Sequence, residues 1–356
     1  MAWHGIEGHD DVAERFRRAI TRGRLASTFL FVGPPGVGKR MFADRLAQAL
    51  LCETRSETEF DPCETCPACK QVAAKSHPDF LAIECPPDRS TIPIDLLIGD
   101  KDHRGESGII HHLSLRPHSK KRKIAVIDDA DLLAVEGVNA LLKTLEEPPP
   151  GSVLILIGTS PARQLPTIRS RCQLIRFRPL APEIVEKILL DKQLVTDSAL
   201  ARSLSQYCGG SVRWALELAD PELWDFVEQL FSAFAGVRID VPSLAETVRQ
   251  FVDKAGSQAV DKRARLRQIL LFSARFYRNL AGVLEGEAAS NDPLFSPPVK
   301  QAAANWTADA VVAVGCAERC LTALEQVDRY ANQQILIHAW LEDLDRMIAR
   351  RASFVL

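Results

Sequence analysis

Between residues 10 and 180 the chain alternates short, almost wholly apolar runs with segments whose apolar positions recur every three or four residues. The apolar runs are "TFLFVG" at 28–33, "FLAIE" at 80–84, "KIAVID" at 123–128, "SVLILIGT" at 152–159 and "CQLIRF" at 172–177. Runs this short, set between helical patterns, predict strands of a parallel sheet covered on both faces. The predicted class is α/β, a five-stranded parallel sheet between helices in a nucleotide-binding layout. In the helix after the first strand, Phe42, Leu46 and Leu50 stand four residues apart and form one stripe facing the sheet. Its N-terminus therefore points at the loop that precedes it.

After "RPLAP" at 178–182 the strand signals stop and amphipathic helices continue to the end. Gly209 and Gly210 break one helix pair, and "DP" at 220–221 marks a further boundary. The expected domains are 1–180, α/β; 181–220, a small helical lid; and 221–356, a larger all-α domain. Two stretches read as loops: the polar "DKDHRGESG" at 100–108 and the basic "RPHSKKRK" at 116–123.

A chain of 356 residues fits two or three domains at roughly 100–200 residues each. Its 44 Lys plus Arg nearly balance 46 Asp plus Glu, so no global field draws it onto nucleic acid or an anionic membrane. Contact with DNA would have to come from a local patch. No apolar run is long enough for a membrane span, and the N-terminal sequence lacks the layout of a secretory signal, so a cytoplasmic location is expected.

"GPPGVGKR" at 33–40 meets the phosphate-loop pattern through Gly33, Gly38 and Lys39, with Gly36 inside it. Such glycines let backbone N–H groups wrap a phosphate while Lys39 and the helix N-terminus supply positive charge; the alternative is a glycine turn without chemistry. Arg40 stands where the pattern has Ser or Thr to hold magnesium, and a guanidinium cannot ligate a cation. ATP or ADP is a candidate ligand; magnesium is not expected. Asp128, at the tip of the third strand, occupies the usual place of a ligand to metal-bound water, and Asp129 the place where such ATPases carry a water-activating Glu. The shorter side chain withdraws the carboxylate, and displacement by about an ångström costs on the order of a hundredfold in rate. The alternative for this acidic pair is a solvated turn.

Nine cysteines are present, and Cys52, Cys63, Cys66 and Cys69 are spaced C-x10-C-x2-C-x2-C. That set suits a closed structural zinc site in a reducing compartment, with free thiols as the alternative. Cys316 and Cys320, four apart, are expected to face a helical core. In "TIRSRCQ" at 167–173, Arg169 and Arg171 read on their own as surface arginines.

Taken together, "GIEGHDDV", "GPPGVGK", the four-cysteine insert after the phosphate-loop helix, "SHPDF", "IDDADLL", "NALLKTLEEPP" and "TIRSRCQ" resemble the clamp-loader branch of the AAA+ ATPases, most closely the delta prime family of bacterial DNA polymerase III. "GGSVRWALEL" at 209–218 extends the resemblance, while 221–356 matches only as a helical block. The resemblance implies an AAA+ domain, a lid and a collar that holds five subunits in a ring. It also implies that Arg171 is an arginine finger acting across a subunit interface, with Thr159 and Arg213 at the two sensor positions.

The implied partners are the other loader subunits (gamma/tau and delta), the sliding clamp, and primer-template DNA through backbone contacts. The helix carrying Asn139 and Lys143 is the candidate for those contacts; the 116–123 run reads more readily as a solvated loop. Relative to the family, 94–108 looks inserted and His111 stands where Arg is expected. Arg40 and Asp129 fit a non-hydrolysing stator better than an ATP-hydrolysing gamma/tau-type motor, which is the alternative. An AAA+ remodeller outside replication fits the "SRC" and cysteine segments less well.

Overall fold

The computed structural model describes residues 3–352 except 88, 237, 290, 291, 293, 307 and 330, and only the backbone of 328 and 350–352. The chain divides into two compact units, 1–219 and 220–356, so the helices on either side of Gly209 and Gly210 fold with the α/β part. The last four residues of the expected range 221–356 lie outside the described residues.

The first unit begins with α1 (Asp10–Thr21), β1 (Thr28–Val32) and α2 (Lys39–Leu51), then α3 (Pro67–Ala73) and β2 (Phe80–Ile83). Next come α4 (Asp95–Ile98), α5 (Gly108–Ser114), β3 (Lys123–Ile127), α6 (Val135–Glu146), β4 (Ser152–Gly158), α7 (Pro166–Arg169) and β5 (Gln173–Arg176). All five expected strands form, in the order β2-β3-β4-β1-β5, and each pairing is parallel. The glycine loop lies between β1 and α2, as the predicted α/β nucleotide-binding layout requires. Alternate residues of β1 serve opposite faces: Phe29 and Phe31 pack with Phe16, Phe42 and Phe177, while Leu30 and Val32 pack with Val138, Leu141 and Ile168. Every residue of β1, β3 and β4 is buried, so after a polar first residue their sequences are apolar runs rather than alternations. Phe42, Leu46 and Leu50 of α2 are fully covered, as their spacing predicts.

Because the strands are parallel, one end of the sheet collects the segments after β1, β3 and β4, and the other the segments before β1, β3 and β5. The phosphate loop and Asp128 lie at the first end; Arg171 lies at the second. The segment 94–108 folds against itself, with Gly105 N donating to Ile98 O at 2.8 Å. The unit closes with α8 (Pro182–Asp191), α9 (Ser198–Tyr207) and α10 (Val212–Glu217).

The second unit is helical throughout its described residues: α11 (Pro221–Phe234), α12 (Val241–Lys254), α13 (Ala259–Leu284), α14 (Ser296–Asn305), α15 (Ala310–Asp328) and α16 (Gln333–Ala352). Asp220 opens it by capping α11, its carboxylate accepting from Glu222 N at 3.0 Å. Phe231, Phe234, Phe276, Tyr277 and Trp340 form its aromatic core. Cys316 and Cys320 are buried there, and Trp340 Nε1 donates to Cys320 Sγ at 3.3 Å.

Candidate nucleotide site and metal centre

β1 delivers the chain to the glycine loop from inside the core, so the loop's position is set by a fully buried strand. Gly36 (φ +73°) and Gly38 (φ +101°) are left-handed, a conformation glycine adopts without steric cost. A Cβ at Gly36 would stand 2.6 Å from Arg213 Cβ, and Val212 N donates to Gly36 O at 3.2 Å. The segment opening α10 therefore rests directly on the loop. A Cβ at Gly33 would meet the Phe177 carbonyl, which gives that glycine a packing reason.

Lys39 is 7% exposed, and its Nζ donates to the carbonyls of Gly33 at 2.6 Å and Pro34 at 2.7 Å. Burial lowers its pKa, while the charges of Asp128, Asp131 and Asp129 oppose that shift. The ammonium thus ties the loop to itself.

Arg40 reaches across the mouth of the site. Its Nε donates to Asp44 Oδ1 at 3.0 Å, and its Nη1 lies 3.5 Å from Asp128 Oδ2 and 3.8 Å from Glu84 Oε2. A divalent ion bridging residue 40 and Asp128 would need a ligating oxygen at residue 40; the side chain there carries a positive charge instead. These residues do not fit magnesium. Burial pushes the Asp44 carboxyl up from its ordinary value, and Arg40 holds it back.

Asp129 is a non-glycine residue at φ +53°, and Asp128 Oδ1 accepts from its N–H at 2.9 Å. Asp129 is exposed at the cavity, where partial desolvation, then the charges of Asp128 and Glu84, raise its pKa. Asp131 accepts from Thr159 N at 2.7 Å, Thr159 Oγ1 at 2.5 Å and Gln164 Nε2 at 2.5 Å. It therefore locks the residue expected at the first sensor position. Arg213 is exposed and pairs with Glu217 at 3.2 Å.

Of the nine residues expected at a nucleotide, all but Gly33 line one cavity: Gly36, Gly38, Lys39, Arg40, Asp128, Asp129, Thr159 and Arg213. Glu84 and Asp131, which sequence reasoning did not single out, border it too, so four carboxylates face Lys39, Arg40 and Arg213. Asp131 was visible as the third acid of "IDDADLL"; nothing in the sequence marks Glu84.

Arg171 sits elsewhere. Its guanidinium is held by Glu146, Nε at 2.9 Å and Nη2 at 2.6 Å, and its carbonyl accepts from Thr28 Oγ1 at 2.8 Å. Thr28 begins β1 and the phosphate loop follows its end, five residues on, or about 16 Å at roughly 3.3 Å per residue. Arg171 therefore lies at the opposite end of the sheet from its own chain's loop.

The four expected cysteines do converge: the sulfurs of Cys52, Cys63, Cys66 and Cys69 lie within 4.8 Å of one another. Cys52 to Cys66 is 4.0 Å and Cys63 to Cys69 is 3.9 Å. Zinc–sulfur bonds of about 2.3 Å at tetrahedral angles place sulfurs about 3.8 Å apart, so the set fits zinc. Cys63 Sγ accepts from Cys66 N at 3.3 Å and Cys66 Sγ from Cys69 N at 3.4 Å. Hydrogen bonds from Thr54, Cys66 and Thr65 bring the Cys63 thiol down to about 5, favouring the thiolate that a metal needs. The knuckle is fastened to α2 through Gln48 Nε2, which donates to Cys69 O at 2.9 Å.

Residues 8–181 match the family model described as "DNA polymerase III, delta subunit". DNA polymerase III subunit delta' of Bacillus subtilis is 32% identical over 49% of this chain and 49% of its own length. The delta' subunit of Pseudomonas aeruginosa is 36% identical over 42% of the chain and 43% of its own length. Over residues 8–181 the chain is similar to DNA polymerase III subunits of the clamp-loader family. The subunit named tau of Bacillus subtilis is 29% identical over 60% of the chain and 36% of its own length. The chain thus spans less than half the length of these relatives, and likeness alone does not separate the two kinds of clamp-loader subunit.

The basic run at 116–123 is largely used internally. Lys121 Nζ donates to the carbonyl of Cys52, at the knuckle. Arg122 pairs with Glu57 at 2.5 Å, and Lys123 pairs with the buried Asp79 at 3.0 Å. Burial pushes Asp79 up, but hydrogen bonds from Ser119, His118 and Lys123 outweigh it and hold the carboxyl well below its usual range. Asn139 and Lys143 are exposed one helical turn apart on α6. No described helix is long and apolar enough to cross a membrane.

Proposed function

We propose that this chain acts in DNA replication as a delta prime-like clamp-loader subunit that does not hydrolyse ATP itself. It organises the loader ring and donates Arg171 to nucleotide held by a neighbouring subunit during loading of the sliding clamp. The observation that carries this reading is Arg40: its guanidinium faces Asp128 at 3.5 Å where an active site needs a magnesium ligand. Asp129, one methylene shorter than the usual Glu, points the same way.

Arg171 supports the second half of the reading by its place at the far end of the sheet, out of reach of its own phosphate loop and held ready by Glu146. A finger supplied in trans accelerates phosphoryl transfer by about 10³ to 10⁵ in comparable systems. ATP or ADP remains a candidate ligand of the cavity, with Gly36, Gly38 and Lys39 at its phosphates and Thr159 and Arg213 as sensors. The four cysteines hold structural zinc, which leaves no open metal position for catalysis. Residues 181–220 serve as the lid and 221–356 as the collar that meets the gamma/tau and delta subunits. The exposed Asn139–Lys143 face of α6 is the contact to primer-template DNA.

A second reading, an ATP-hydrolysing gamma/tau-type motor, draws on the tau relatives and on the intact glycines and Lys39. Steady-state ATP hydrolysis by the purified chain separates the two. The stator reading expects a rate at the level of a protein-free control; robust magnesium-dependent turnover contradicts it.

A further inference from the structure

The C-terminal half of α1 and strands β1 and β5 border a cleft lined by Arg15, Arg18, Arg22 and Arg24, with Gln173 beside them and no acidic residue. Arg15, Arg18 and Arg22 recur at three- and four-residue steps, so they stack along one helix face over about 10 Å. Arg18 pairs with Glu14 at 2.8 Å, whereas Arg15, Arg22 and Arg24 are exposed and make no ion pair among the described residues. The helix dipole accounts for cations at the C-terminal end of α1, with Arg18 in the last turn and Arg22 at the C-cap, but not for Arg15 or for Arg24 beyond the helix.

The apolar floor distinguishes between classes of anionic occupant. Phe16, Phe29 and Ile175 are already 3%, 2% and 2% exposed, so an occupant gains almost nothing by covering them. A protein segment depends on apolar anchors for most of its affinity and finds none here. A sugar-phosphate backbone needs only guanidinium groups at regular intervals, with no contact to bases. This face is separate from α6 and from the nucleotide cavity, which lies at the other end of the sheet.

We infer that the arginine cleft of α1, β1 and β5 binds the phosphate backbone of nucleic acid without reading its sequence. The test is fluorescence anisotropy of a labelled DNA duplex with the full chain across a salt series, comparing wild type with Arg15→Ala/Arg22→Ala/Arg24→Ala. Loss of three phosphate contacts flattens the slope of log affinity against log salt by about 2 to 3, equally for duplexes of different sequence. The matching triple Lys variant keeps most of the binding, because Lys retains the charge. Thermal melting of both variants stays at the wild-type value, since the three side chains are exposed. Duplex binding with unchanged affinity and salt slope in the triple Ala variant overturns the inference, as does absence of duplex binding by the wild type. Polyglutamate that binds the wild type more tightly than DNA, and is lost in the triple Ala variant, reassigns the cleft to an acidic protein and overturns it equally.

Discussion

Arg40 Nη1 stands 3.5 Å from Asp128 Oδ2, so the cation nearest this carboxylate is part of the polypeptide. The neighbouring Asp44 and Glu84 share the same guanidinium. The loop's glycines and lysine are thereby combined with a guanidinium placed beside Asp128.

Replacing Arg40 by Ser removes that fixed cation and introduces a hydroxyl suited to magnesium. Without divalent ions, Arg40→Ser should lose about 1.5–3 kcal/mol of stability, the usual cost of removing a charged hydrogen-bond partner. Millimolar magnesium should restore part of the loss by bridging the hydroxyl and Asp128, while leaving the wild type unchanged. Denaturant unfolding with and without magnesium checks both; a variant indifferent to magnesium contradicts this account of residue 40.

Asp129 gives a pH-dependent prediction. Its carboxyl is raised above the ordinary 3.8 by partial desolvation in the cavity and then by the charges of Asp128 and Glu84; the residue is exposed, so the effect on stability is small, fully present below that value and lost as pH rises through the native pKa. Asp129→Asn removes the charge that the fold disfavours. The variant should be more stable than wild type at neutral pH, with the gap shrinking as pH falls toward the carboxylate range. Urea midpoints at several pH values report it, and a gap independent of pH contradicts it.

The cysteine knuckle predicts one zinc per chain, measured by elemental analysis. Chelation, or Cys66→Ser, should lower the melting temperature, because the knuckle is joined to α2 through Gln48 and to the strand-leading segment through Lys121. A metal-free chain that melts with the wild type would remove zinc from the account.

Much of this could be read along the chain, because its signals are local. The buried strands β1, β3 and β4 appear as nearly unbroken apolar runs, the phosphate loop as a glycine pattern, and the knuckle as close cysteine spacing. What stayed hidden depends on sheet order. Asp131 meets Thr159 only because β3 and β4 are neighbours, across 28 residues of sequence. Lys121 and Lys123 look like a solvated basic loop until Cys52 and Asp79, distant in sequence, are folded against them. Arg171 shows as one of two arginines in "RSR", and only the parallel sheet separates it from the loop that its own chain carries.

The central claim, that chemistry has moved from this chain's loop to a neighbour's site reached by Arg171, is tested most directly in a reconstituted clamp loader. DNA-stimulated ATP hydrolysis is measured with Arg171→Ala and, separately, Lys39→Ala in this subunit. The account predicts a marked fall in rate with Arg171→Ala and a wild-type rate with Lys39→Ala. Wild-type hydrolysis with Arg171→Ala, together with a fall for Lys39→Ala, would contradict it.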